Sequence, residues 1–144
     1  MSGPDKACLG MEERVKVIPI RSDADIVTAR LAVRSMAERI GFSGVDVVLI
    51  ATAVSEVARN IVEYAKEGEI TLANTHLGAK KGLEVLAKDD GPGISNLTQA
   101  MQDGYSTSRG LGLGLPGSKR LMDEFEIVSQ VGSGTKVTMR KWLR

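Results

Sequence analysis

The sequence predicts a two-layer α/β (α+β) sandwich: a mixed, mostly antiparallel sheet covered by helices on one face. Three observations carry that expectation. Apolar residues alternate in short runs at 15–20, 69–75, 83–88, 125–130 and 135–141, the period of half-buried strands. Two longer runs, 22–40 and 44–65, repeat apolar residues at the three-to-four spacing of a helix. The strands also come as adjacent pairs rather than in strict β-α-β alternation, which disfavours a doubly wound parallel sheet.

Residues 1–11 show no period and read as a disordered arm, with Met11 a second candidate start; 12–144 then make one domain. Val15 to Ile20 alternates as a strand, and Pro19 places it at a sheet edge because proline cannot donate to a ladder. Ser22-Asp23-Ala24-Asp25 is a Ser-x-x-Asp capping box opening a helix whose stripe is Ile26, Ala29, Val33, Met36, Ala37 and Ile40, with Gly41 as its stop. Ser43-Gly44-Val45-Asp46 repeats the device for a second helix to about Ala65. On its wheel, Val47, Ile50, Ala51, Val54, Val57, Ala58, Ile61 and Val62 share the core arc, while Glu56 and Asn60 stack on the opposite side beside Leu49 and Ala53. Two strands follow, joined by a turn around Gly78 to Gly82. Ser95 to Asp103 reads as a short helix, and Tyr105 to Arg109 as a polar loop. Pro116 suits the first turn of a last helix to about Glu124, and strands either side of Gly132-Ser133-Gly134 end the chain.

Composition excludes several classes. Of 144 residues, 42% are hydrophobic and 26% charged, enough for a core, but only 3% are aromatic, so Val, Ile, Leu, Ala and Met must fill it. The net charge of +1 argues against binding nucleic acid or anionic membrane by broad neutralisation. A single cysteine, Cys8, rules out an internal disulfide framework and Cys-based metal clusters; a single histidine, His76, disfavours a Ser-His-Asp triad. No apolar run is long enough to span a bilayer and no signal peptide precedes the first charges, so a cytoplasmic protein is expected.

Glycine is the informative residue. Nine of the 16 fall between Gly91 and Gly134, and each ordered glycine costs backbone entropy. A Walker A loop fails: Gly112 and Gly117 have the right gap, but Ser118 stands where lysine is required and Lys119 comes one position late, about 100° away on a helix. Gly112, Gly114 and Gly117 match the dinucleotide pattern Gly-x-Gly-x-x-Gly, yet a polar loop precedes them rather than a strand, and no βαβ unit can follow.

A third, distributed pattern fits. Its parts are Glu56-x-x-x-Asn60, Asp89-x-Gly91-x-Gly93, Gly110-Leu111-Gly112-Leu113-Gly114 and Gly132-x-Gly134-Thr135. A strand-terminal carboxylate at Asp89 can accept from an adenine amino group, and Gly91-Pro92-Gly93 lets backbone approach the base. The loop 110–114 presents backbone N–H groups to phosphates ahead of a helix N-terminus. Asn60 offers a neutral oxygen suited to Mg²⁺ with substrate phosphates, and Glu56, one turn earlier, can serve as a base. Each part also has a plain reading: Glu56 and Asn60 as a solvated helix side, Gly91-Pro92-Gly93 as a turn, Gly132 and Gly134 as hairpin formers, Ser106 to Arg109 as an ordinary loop rather than a lid with Arg109 near the γ-phosphate, and His76 as a strand-end residue without chemistry.

In that order the four parts resemble the N, G1, G2 and G3 boxes of the GHKL ATPase/kinase superfamily, over about 15–144. The large extra domains of gyrase- and MutL-like members and the phospho-accepting helical domain of histidine kinases have no counterpart here. The stretches Thr52 to Ile61, Asp90 to Ile94, Gly104 to Ser108, Leu115 to Gly117, Lys119 to Phe125 and Lys141 to Arg144 are similar to the stand-alone, partner-switching serine/threonine kinases of the RsbT type. The resemblance implies a Mg·ATP-dependent kinase phosphorylating STAS-domain scaffold proteins (RsbS- and RsbR-like), then binding and activating a PP2C-type phosphatase (RsbU-like). It implies Glu56 as the base; Asn60 at Mg²⁺; and Asp89, Gly91, Gly93, Arg109, the loop Gly110-Leu111-Gly112-Leu113-Gly114 and Thr135 around the nucleotide. An anti-sigma factor of the related type, or a non-catalytic ATP-gated module, shares the same fold and site. An exposed apolar stripe on the helix 22–40 is the first place to seek a partner-binding face.

Overall fold

A computed structural model describes residues 15–93 and 114–144. The expected helix over 95–103, the loop 105–109 and the N-terminal arm lie outside the described residues. The elements run β1 (Val15–Ile20), α1 (Asp23–Ile40), α2 (Gly44–Asn60), a π-helical turn (Ile61–Ala65), β2 (Gly68–Leu77), β3 (Lys80–Asp89), α3 (Gly114–Leu121), β4 (Glu124–Gln130) and β5 (Gly134–Trp142). The strands form one sheet in the order β1-β2-β3-β5-β4, and every pairing among them is antiparallel. β1, with Pro19, is an edge strand as expected.

Register fixes which side chains meet the helices. Ile18, Ile70, Ala87, Val137 and Ile127 form one cross-strand row, and Leu72, Val85, Met139 and Phe125 the next. These rows pack under Ala29, Val33 and Met36 of α1 and Ile50, Val54 and Val57 of α2, all buried. The opposite sheet face is polar: Glu84, Arg140 and Glu124 stand side by side, with Arg140 bonded to both carboxylates at 2.8 and 2.9 Å.

The caps behave as their sequences imply. The Asp25 carboxylate accepts from the backbone N–H of Arg21 at 2.8 Å and of Ser22 at 3.2 Å, and the Ser43 hydroxyl accepts from the N–H of Asp46 at 3.2 Å. β2 and β3 run further than their apolar alternation, because a hydrogen-bonded ladder continues through polar residues as far as Leu77 and Lys80. α3 stops three residues before Glu124. The Asp123 carboxylate turns back to accept from the Trp142 N–H at 2.7 Å and the Arg144 guanidinium at 2.6 Å, which starts β4 earlier. No helix among the described residues is long and apolar enough to cross a membrane.

Candidate nucleotide and phosphotransfer site

α2 carries Glu56 and Asn60 one turn apart on the side away from the sheet, as the wheel requires. That side is not solvated. α3 packs across it, with the Ser118 hydroxyl 3.4 Å from the Ala53 carbonyl, and Ala53 is fully buried. Glu56 is consequently only 8% exposed. A carboxylate this enclosed needs a charged partner; Arg59, three residues on, donates from Nη1 to Oε1 at 2.5 Å. Arg59 escaped the sequence reading, although its i,i+3 spacing from Glu56 is visible there.

Asn60 is the last α-helical residue before the ladder widens into the π turn Ile61–Ala65. Sequence periodicity cannot distinguish that turn from more α-helix, and such insertions are frequent at functional sites. Among the described residues the side-chain nitrogen of Asn60 is buried without a hydrogen-bond partner. Beyond the turn, Lys66 has a φ of 76° and ψ of −41°, a strained conformation for a residue with a Cβ.

Asp89 ends β3 opposite Gly68 on one side and Thr135 on the other. Its Oδ1 accepts from the Gly91 N–H at 2.8 Å, which shapes the turn that follows. A β-carbon on Gly91 would stand 2.6 Å from that of Ala65, so the absence of a side chain seats this turn directly on the π turn. Gly93 lies against the Gln130 carbonyl, and the Pro92 carbonyl accepts from the Gly132 N–H at 2.8 Å. The Thr135 hydroxyl meets the Ser129 hydroxyl at 2.8 Å.

The N, G1 and G3 segments thus converge: the end of α2, the turn after β3 and the β4–β5 hairpin touch in sequence-distant pairs. Of the fourth segment, Gly114 is described as the first residue of α3, which packs on α2. Arg109, Gly110, Leu111, Gly112 and Leu113 lie outside the described residues. Among the described residues no cluster of three or more His, Cys, Asp or Glu could hold a metal by protein ligands alone. A buried carboxamide nitrogen without a partner nevertheless fits a site completed by ligand oxygens, and the same side chain carries an oxygen of the kind a hard cation takes. On α1, Val27 and Leu31 are exposed apolar residues one helical turn apart.

Comparison with known proteins identifies the family. The family described as histidine kinase-like ATPase domain matches residues 20–141. The chain is 50% identical over 127 residues to the serine/threonine-protein kinase RsbT of Bacillus subtilis (strain 168), covering 88% of this chain and 96% of that protein. It is 34% identical over 121 residues to an anti-sigma F factor of Caldanaerobacter subterraneus subsp. tengcongensis, covering 80% and 83%. A crystal structure of the RsbU and RsbW domains of Rv1364c from Mycobacterium tuberculosis superposes with a TM-score of 0.60 at 21% identity, over 90% of this chain and 33% of that one. The SiaB–SiaC complex of Pseudomonas aeruginosa gives 0.56 at 12%, over 99% of both. At such identities these two structures speak to the fold alone. The chain belongs to the histidine kinase-like ATPase family of the GHKL superfamily, in its branch of RsbT-type serine/threonine kinases.

Proposed function

We propose that residues 12–144 are one catalytic domain, an ATP-dependent serine/threonine kinase of the cytoplasm that works by partner switching. It phosphorylates STAS-domain scaffold proteins and, once released, binds and activates a PP2C-type phosphatase. The observation that carries this reading is the buried Glu56 carboxylate, held by Arg59 one helical turn before the unpartnered side-chain nitrogen of Asn60.

In this mechanism Glu56 takes the proton of the acceptor hydroxyl as that oxygen bonds to the γ-phosphorus. The bond from phosphorus to the bridging oxygen breaks, and ADP leaves with its electron pair. Asn60 would orient the phosphates and hold Mg²⁺, which when bound would offset their charge. Asp89 accepts from the adenine amino group while Gly91 and Gly93 keep the turn beneath it free of side chains. The loop 110–114 donates backbone N–H groups to the phosphates, Arg109 neutralises the γ-phosphate, and Thr135 flanks the nucleotide from β5. Positioning and charge neutralisation supply most of phosphoryl-transfer catalysis, so a small domain suffices.

The test mixes the protein, radiolabelled ATP and a STAS-domain protein. Label should pass to the STAS protein, and Glu56→Gln should abolish transfer while calorimetric ATP affinity stays within about twofold, because a base contributes to the chemical step and not to ground-state binding. Equal transfer by the variant removes Glu56 from the mechanism. The identity to an anti-sigma F factor favours one second reading, a kinase that sequesters a sigma factor. Affinity capture from a lysate decides between them: a sigma factor supports the second, STAS and phosphatase proteins the first.

A further inference from the structure

The Glu56–Arg59 pair is poorly explained by stability. Glu56 is buried, so its carboxylate has given up most of its water. Arg59 restrains a long side chain to meet it. The gain is small, because the Arg59 side chain is 39% exposed and water screens the attraction. An apolar residue at position 56 would suit the side of α2 that α3 covers at least as well.

Geometry gives the pair another use. Side chains leave a helix tilted toward its N-terminus, so Arg59, next to Asn60, reaches back one turn to Glu56. Its Nη1 donates to Oε1 at 2.5 Å, and that carboxylate is its one hydrogen-bond partner among the described residues. A glutamate has three rotatable side-chain bonds, and holding one carboxylate oxygen removes much of that freedom. α3, which encloses this side of α2, keeps its own cations Lys119 and Arg120 exposed. The aim of the Glu56 carboxylate is therefore set from within α2.

We infer that Arg59 is a positioning residue for phosphotransfer: it acts through Glu56, holding the carboxylate where it meets the acceptor hydroxyl, and does not contact the nucleotide. The inference rests on the kinase reading above, with Glu56 as the base. A base must lie within hydrogen-bond reach of the proton it takes, and a displacement of about 1 Å can slow a reaction about 100-fold. Arg59 thus governs the rate of transfer and leaves ATP binding alone.

The test measures single-turnover transfer from radiolabelled ATP to a STAS-domain protein, with calorimetric ATP affinity and melting temperature for each variant. Arg59→Met keeps a long, helix-compatible side chain but removes the charge and the fork. It should slow transfer about 10- to 100-fold at saturating ATP and acceptor, with ATP affinity within about twofold. Arg59→Lys restores a cation without the planar fork, and should be at least about threefold faster than Arg59→Met. Melting temperature gives a readout independent of activity. Arg59→Met should lower it in the natural protein, by leaving a buried carboxylate without its cation, and should change it much less in Glu56→Gln. Where Arg59→Met alone does not fold, adding Glu56→Gln should restore folding; failure to do so would overturn the inference. Undiminished transfer in Arg59→Met, no advantage of Arg59→Lys over it, or equal melting shifts in both backgrounds would overturn it too. A loss of ATP affinity of about fivefold or more would place Arg59 on the nucleotide and overturn it likewise. Normal transfer by Glu56→Gln, or none by the natural protein, would instead sink the kinase reading beneath it, and both are seen without any change at Arg59.

Discussion

Gly134 lies so close to Asp89 that a β-carbon on it would stand 2.0 Å from the Asp89 carbonyl oxygen, and its φ of 94° is one that residues with side chains rarely adopt. The glycine of the β4–β5 hairpin therefore fixes the backbone that presents the Asp89 carboxylate. Gly134→Ala must shift that backbone or strain its own, and is expected to destabilise by at least about 2 kcal/mol. The denaturation midpoint should fall, and the ATP affinity of the remaining folded protein should fall with it. Retention of both would show that the hairpin does not support Asp89.

Gly134 also shows how far the sequence could be read. That Gly-x-Gly shapes a hairpin is legible locally, as are the Pro19 edge strand, the two capped helices and the Glu56/Asn60 spacing, because each depends on neighbours within a few residues. The contact of Gly134 with Asp89 depends on strand register between segments 45 residues apart, which no local period encodes. Burial of Glu56 was illegible for the same reason: the wheel places it correctly on the helix, but α3 turns that side into an interior. The π turn after Asn60 packs against Gly91 and Gly68, contacts between distant segments that no local period encodes.

Asp89 has one oxygen committed to the Gly91 N–H at 2.8 Å, a bond an asparagine oxygen can also accept. Asp89→Asn should therefore keep the turn and the fold, yet present an amide nitrogen where, in the proposed mechanism, the carboxylate accepts from adenine. Donor facing donor costs roughly 1–3 kcal/mol, an affinity loss of about 5- to 150-fold for ATP. Calorimetry against ATP checks it, with the melting temperature as the control; unchanged affinity would remove Asp89 from base recognition.

Lys66 holds a positive φ with negative ψ directly after the π turn, where a Cβ is strained and glycine is not. Lys66→Gly relieves that strain but enlarges the conformational freedom of the unfolded chain. Relief should prevail by about 0.5–1 kcal/mol, visible as a higher denaturation midpoint. A lower midpoint would mean that the lysine side chain contributes more than its backbone costs.

Glu124 ties the last two strands together electrostatically. Its carboxyl is held below the ordinary value of 4.5, chiefly by the hydrogen bond from the Trp142 indole, 2.6 Å long, then by the Arg140 guanidinium, with Lys80 adding a weaker attraction. A carboxyl lowered by folding contributes stability that is complete above its unfolded value and is lost as pH falls through the folded one. The contribution should therefore be present at neutral pH and fade below 4.5. The difference in unfolding free energy between the natural protein and Glu124→Gln should accordingly be larger at pH 7 than at pH 3. Trp142→Phe removes the leading cause while leaving Arg140 in place, so in that background the pH-dependent part of the difference should shrink without vanishing. Denaturant unfolding of the four proteins at both pH values measures this; a difference that does not change with pH would show that Glu124 titrates alike folded and unfolded.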